Sequence, residues 1–158
     1  MSDDQNLTEQ QLPEQLSEIR TDFLDLPEKD RLLLLLEFAN ELPDLPARYA
    51  DHPDLLEQVV ECQSPVFIFV EVDGDNRVQM CATAPKEAPT TRGFASIISQ
   101  GLSGLTVEEA LAVPDDFPNT IGLTAAVSPL RIRGMTALLA RAKRQIREKA
   151  APGAEPGA

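Results

Sequence analysis

The sequence has few residue types that could carry chemistry. Its 158 residues contain no tryptophan, one tyrosine, one histidine and two cysteines. Two cysteines do not make a disulfide framework, so a reducing cytoplasm is the expected location. A metal or cluster site needs three or four thiolate or imidazole ligands, and Cys62, Cys81 and His52 are the whole supply. A Ser or Cys hydrolase needs a base beside its nucleophile. The single histidine lies in a proline-bounded polar stretch, Ala50-Asp51-His52-Pro53, that reads as a solvated loop. Gly101 and Gly104 lack the glycine–lysine spacing of a phosphate loop. Basic charge is scarce as well. The net charge is −12, whereas nucleic acid demands clustered Lys and Arg, so no nucleic-acid partner is expected. Purely apolar runs reach five residues, as in Leu32–Leu36, far short of a bilayer span, and the polar, acidic start (MSDDQNLTEQ) does not resemble a signal peptide. No membrane association and no bound cofactor are expected.

The chain does hold enough apolar material for one domain, with 42% hydrophobic residues, mostly aliphatic. Charge is unevenly placed. Residues 131–149 carry seven Lys and Arg against one acid, Glu148, so this segment is +6 and the remainder −18. Cations in the last turns of a helix complement its dipole, which accounts for the strip without a partner, although a docking face has the same composition.

Residues 1–12 are polar and aperiodic and are expected to be flexible, as is the tail 150–158, rich in Pro, Gly and Ala. Between them the spacing predicts a single domain over 13–149. Pro13 suits a first helical position, and Leu16, Ile19, Phe23 and Leu24 recur at helical spacing. A second helix is expected over 28–42, with Leu32, Leu35, Leu36, Ala39 and Leu42 as its stripe and Pro43 as its end. A small helix is expected near 54–60. Val66–Val72 and Val78–Ala82 read as strands joined by the turn Asp73-Gly74-Asp75-Asn76. Further helices are expected over 90–100, from the capping box Thr106-Val107-Glu108-Glu109, and over 129–149, with Leu130, Leu138, Leu139, Ala142 and Ile146 inward. The fold class is α+β, a small antiparallel sheet with a hairpin, covered by helices from both ends of the chain.

The hairpin register follows from its faces. Pairing Val72 with Val78 sets Val70 opposite Met80 and Ile68 opposite Ala82, whereas a slip of one residue would mismatch every face. Cys81 then faces Phe69 across the pair. Extended backwards, the register places Cys62 opposite Ala88, so the loop Ala84–Pro89 is expected to cover it. It also separates the two cysteines by about seven residues, roughly 23 Å at strand rise, too far for a disulfide. Cys81, in mid-strand, reads as a small apolar residue. Cys62 lies between a helix end and a strand start, where loops carry function. Glu61 and a helix C-terminus both disfavour a thiolate there, so these residues alone leave open whether Cys62 is reactive or structural.

Three spaced motifs carry a resemblance. Glu61-Cys62-Gln63-Ser64-Pro65-Val66 is similar to the Gly-Cys-Gln-Ser-x-Val signature of SufE proteins. Arg92-Gly93-Phe94 resembles their Lys/Arg-Gly helix start, and Val127–Gly134 resembles Leu-x-Pro-x-Arg-x-x-Gly. Glu61 stands where glycine is usual, Ala126 where a histidine often precedes the Ser/Thr-Pro pair, and Ala84-Pro85-Lys86-Glu87 where Gly-Asp-Ser-Asp is common, with Glu87 keeping one acid. The resemblance implies a SufE/IscU-like fold and a sulfurtransferase-like accessory protein without a cofactor of its own. In that role Cys62 would accept persulfide sulfur from a SufS-like cysteine desulfurase, whose pyridoxal phosphate (PLP) belongs to that partner. The sulfur would then pass to a SufBCD-like iron–sulfur scaffold. Arg92, Arg131 and Glu87 are the expected persulfide-stabilising or docking residues. Two other roles fit the same residues: a binding module that activates the desulfurase without carrying sulfur, and a thiol oxidoreductase, which lacks a second nearby cysteine.

Overall fold

The computed structural model describes residues 12–154. Helices α1 (Glu14–Leu24) and α2 (Glu28–Glu41) are followed by the single-turn α3 (Ala47–Ala50) and a 3-10 turn at Pro53–Leu55. Strands β1 (Glu57–Gln58), β2 (Phe67–Val72) and β3 (Val78–Thr83) form one antiparallel sheet in the order β1-β2-β3. Helices α4 (Pro89–Leu102), α5 (Val107–Leu111) and α6 (Pro129–Ala154) complete the fold. The architecture is α+β, with helices on both sides of a small sheet.

The hairpin has the register its side-chain pattern requires, from Val72↔Val78 to Phe67↔Thr83, with Cys81 opposite Phe69. Asn76 holds the turn in a left-handed conformation at φ 65°, which asparagine tolerates. Ile68, Val70, Val78, Met80 and Ala82 are buried on the core face with Phe94, Ile97 and Ile98 of α4 and Leu138, Leu139 and Ile146 of α6. Gly93 lets α2 and α4 cross closely, since a β-carbon there would lie 2.6 Å from the Leu35 carbonyl oxygen.

Both sheet edges are partly covered, which limits templates for pairing with other chains. On β3, Val78 exchanges hydrogen bonds with Leu105 and Gly104, while Met80 pairs with the Ser99 and Ser103 hydroxyls. On β2, beyond the short β1, the Val70 N–H donates to Gln145 Oε1 at 2.8 Å and its carbonyl accepts from Lys149. Side chains of α6 thus replace the missing length of β1.

Several expectations change. The segment near 54–60 is not a helix: it forms a 3-10 turn, the strand β1 and the start of a second 3-10 turn, Val60–Cys62. Leu24, Leu32 and Leu130 are exposed rather than inward, and Phe38 joins Leu35, Ala39 and Leu42 on the buried face of α2. Leu12, at the edge of the stretch expected to be flexible, is buried, and α6 continues through Ala154. The remainder of both expected flexible ends, 1–11 and 155–158, lies outside the described residues.

Candidate functional site

Cys62 lies in the β1–β2 connection, not on a backward extension of β2. The Val59 N–H donates to the Val66 carbonyl at 2.8 Å, so the chain doubles back around residues 60–65. Pro65 cannot continue a ladder as a donor, and Gln63 takes a left-handed conformation at φ 61°, rare for a residue with a side chain. The register that set Ala88 opposite Cys62 therefore ends at Phe67↔Thr83. The wall against the thiol is helix α6. The Cys62 Sγ–H points to the Gly134 carbonyl at 3.5 Å, and a β-carbon on Gly134 would sit 3.3 Å from both Cα and Sγ of Cys62. Glycine at this helical position makes the approach possible.

The thiol is half-buried, and burial pushes it up to about 11; the Glu61 carboxylate adds to the rise and the Arg141 guanidinium opposes it. A thiol held this way is protonated at neutral pH and a poor nucleophile, because thiolate is the reactive form. Cys81 is a second free thiol, half-buried and also raised, by burial and then by Glu71.

Around Cys62 is a charge cluster built by β1, the Val60–Cys62 turn and α6. Arg141 donates its Nε to Glu61 Oε1 at 3.0 Å, one terminal nitrogen to Glu61 Oε2 at 3.2 Å, and the other to Glu57 Oε2 at 2.7 Å. Glu57 also accepts from Arg144 and from Gln145 Nε2. Burial works to raise the Glu57 carboxyl, yet the hydrogen bonds from Gln145, Arg144 and Arg141 hold it below its ordinary value. Glu61 is likewise lowered, mainly by Arg141.

The residues named from the sequence separate. Arg92 faces the backbone: it donates to the carbonyls of Ala39, Ala84 and Leu42 at 2.9, 2.7 and 3.2 Å, tying the end of α2 to the end of β3. Glu87 is exposed in the 84–89 loop, whose Ala84 carbonyl is held by Arg92. Arg131 is exposed on the first turn of α6, one turn before Gly134. The cation beside Cys62 is Arg141, which sequence reasoning counted only within the basic strip. A signal was present: Gly134 and Arg141 are seven residues apart and share a helix face. His52 is exposed, and among the described residues no cluster of three or more His, Cys, Asp or Glu is placed to hold a metal.

The sequence profile of the SufE family, described as an Fe-S metabolism associated domain, matches residues 17–146. An uncharacterized SufE-like protein of Mycobacterium tuberculosis, found in two strains, is 53% identical over 137 residues, covering 87% of this chain and 94% of the relative. SufE-like protein 1, chloroplastic/mitochondrial, of Arabidopsis thaliana is 28% identical over 131 residues, which is 82% of this chain and 34% of that longer protein. The solution structure of a hypothetical protein from Thermus thermophilus superposes with a TM-score of 0.78 at 36% identity, covering 89% of this chain and 98% of that one.

Proposed function

Because the chain belongs to the SufE family, associated with Fe–S metabolism, we propose that Cys62 carries sulfur from a cysteine desulfurase to an iron–sulfur assembly scaffold. The Cys62 thiolate attacks the outer sulfur of a persulfide on the desulfurase. A new S–S bond forms at Cys62, the old one breaks, and the electron pair and proton go to the departing desulfurase cysteine. No external oxidant or reductant is needed. The rate of such an exchange depends on thiolate fraction, nucleophilicity and access. Carbon–sulfur cleavage falls to the PLP of a SufS-like partner, so the carrier itself needs no cofactor. The acceptor is a SufBCD-like scaffold, and the reducing cytoplasm keeps the thiol available between turnovers.

The observation that carries this reading is the setting of Cys62. It is an unpaired thiol at the tip of a small loop, resting on a helix through one weak hydrogen bond and shielded at rest. A persulfide in transit needs such protection from other thiols and exposure only on docking. The test is to incubate the protein with a desulfurase, cysteine and PLP and to weigh it. A mass gain of one sulfur, removed by reductant and absent in Cys62→Ser, supports the carrier. Stimulation of the desulfurase that survives Cys62→Ser without any mass gain would make the protein a binding activator instead.

A further inference from the structure

The loop around Cys62 is almost self-contained. Its internal hydrogen bonds run from Cys62 N–H to Val59 O, from Gln63 N–H to Val60 O, and from Val66 N–H to Ser64 O, above the Val59–Val66 closure. Val59 and Val66 are buried at its base, whereas Val60 is 61% exposed, so little apolar burial secures the tip. Among the described residues two polar contacts hold it to α6: the weak thiol bond to Gly134, and the two-pronged grip of Arg141 on Glu61. The two ends of that grip differ in mobility. Arg141 is moored to Glu57, which is itself fixed by Arg144 and Gln145. Glu61 belongs to the loop, and its side chain is 46% exposed, within reach of another protein.

We propose that Glu61 and Arg141 form a latch that keeps the Cys62 loop shut on α6, and that a cationic group of the docking partner opens it by drawing Glu61 away. This deepens the carrier reading and depends on it for the identity of the partner. Glu61 acts as a positioning residue. Closed, it holds the thiol against Gly134 and places a carboxylate beside it. Open, it takes the loop off the helix with its charge neutralised by the partner, so the thiol meets water and ionises more readily. The partner need not unfold the sheet, since the Val59–Val66 closure lies below the moving part.

The latch can be read without any sulfur donor, by the rate at which iodoacetamide alkylates Cys62 in a Cys81→Ser background. A part-exposed ion pair changes an open–closed ratio by about twofold to fivefold. Losing the neighbouring carboxylate adds to the thiolate fraction. Glu61→Gln is expected to alkylate about threefold to tenfold faster, with faster amide exchange over 60–64, while Glu18→Gln, an equal charge change on α1, leaves both at wild-type values. In an Arg141→Gln background the further change Glu61→Gln should add less than about twofold, because the latch is already gone. If Arg141→Gln does not fold, Arg141→Lys, which loses the fork, serves as that background. A wild-type rate in Glu61→Gln overturns the latch, as does a full Glu61→Gln effect without Arg141. Either failure leaves the mass-gain test of sulfur transfer intact, and failure of sulfur transfer would leave the alkylation result standing.

Discussion

Gly134→Ala should separate the stability of the fold from the reactivity of Cys62. The added methyl would lie 3.3 Å from both Cα and Sγ of Cys62, a few tenths of an ångström too close. Two effects compete. Replacing glycine by alanine within a helix gains about 1 kcal/mol of helix propensity, and Gly134 lies well inside the 26-residue α6. Overpacking a rigid core costs about 1–3 kcal/mol, but here the crowded neighbour is a loop fixed to α6 by two polar contacts and can move. The strain therefore goes into displacing that loop, and the global fold keeps the helix gain. Thermal unfolding should stay within about 3 °C of wild type. A shift of the closed loop by about 1 kcal/mol changes its open–closed ratio about fivefold, so alkylation of Cys62 should rise by a similar factor. The paired measurements are a melting curve and iodoacetamide kinetics in the Cys81→Ser background. A large fall in melting temperature with unchanged alkylation would refute the reasoning, because it would make the loop as rigid as the core.

Two further outcomes follow from the same geometry. Arg92→Ala removes three charge-assisted bonds to the Ala39, Ala84 and Leu42 carbonyls, a loss of about 2–4 kcal/mol, or roughly 5–15 °C in melting temperature for a chain of this size. Alkylation of Cys62 should be unchanged in that variant; persulfide loading lost at an unchanged melting temperature would instead place Arg92 at the sulfur. Alkylation of the wild-type protein should keep rising with pH beyond 9.0, the ordinary thiol value, and level off near 11. The sign follows from burial: the closed state keeps its proton longer than the open one, so closure is fully favoured below about pH 9 and weakens as pH rises towards 11. A plateau already reached near pH 9 in the stopped-flow profile would show that the thiol is open at rest.

The hairpin was legible because period-two alternation and a four-residue turn determine each other: once Val72 faces Val78, every pair down to Phe67↔Thr83 follows. The capping box at Thr106 and Glu109 forms with both of its hydrogen bonds, since such motifs are local. The surroundings of Cys62 were not legible for the opposite reason. A two-residue strand such as β1 has no period to detect, and its partner is selected by the side chains of α6 that bond Glu57 and Val70 from more than seventy residues away. Without β1 the chain reads as a strand running straight back through Pro65, which sends Cys62 towards Ala88 and makes the 84–89 loop its cover.

The departure at position 61 gains a physical meaning from this placement. A glycine before the cysteine, usual in the resembling motif, would leave the loop held to α6 by the thiol alone among its polar contacts. Glutamate adds a second tie, but only because Arg141 lies seven residues beyond Gly134 and is already fixed by Glu57. Burial is the larger cause of the raised thiol, and the carboxylate that adds to the rise is the same group that fixes the loop. Opening the loop removes both the burial and the nearby carboxylate, so closure and low reactivity should be lost together. Arg144, one turn further along α6, keeps Glu57 in place and bonds Glu148, so the anchor survives when Glu61 leaves. The basic strip of the last helix thus divides by partner. Arg141, Arg144 and Lys149 bind β1, the Cys62 loop and the edge of β2, and Lys143 holds the Val113 carbonyl and Asp115. Arg131 and Arg133 stay exposed on the turns of α6 nearest Gly134, apart from these ties.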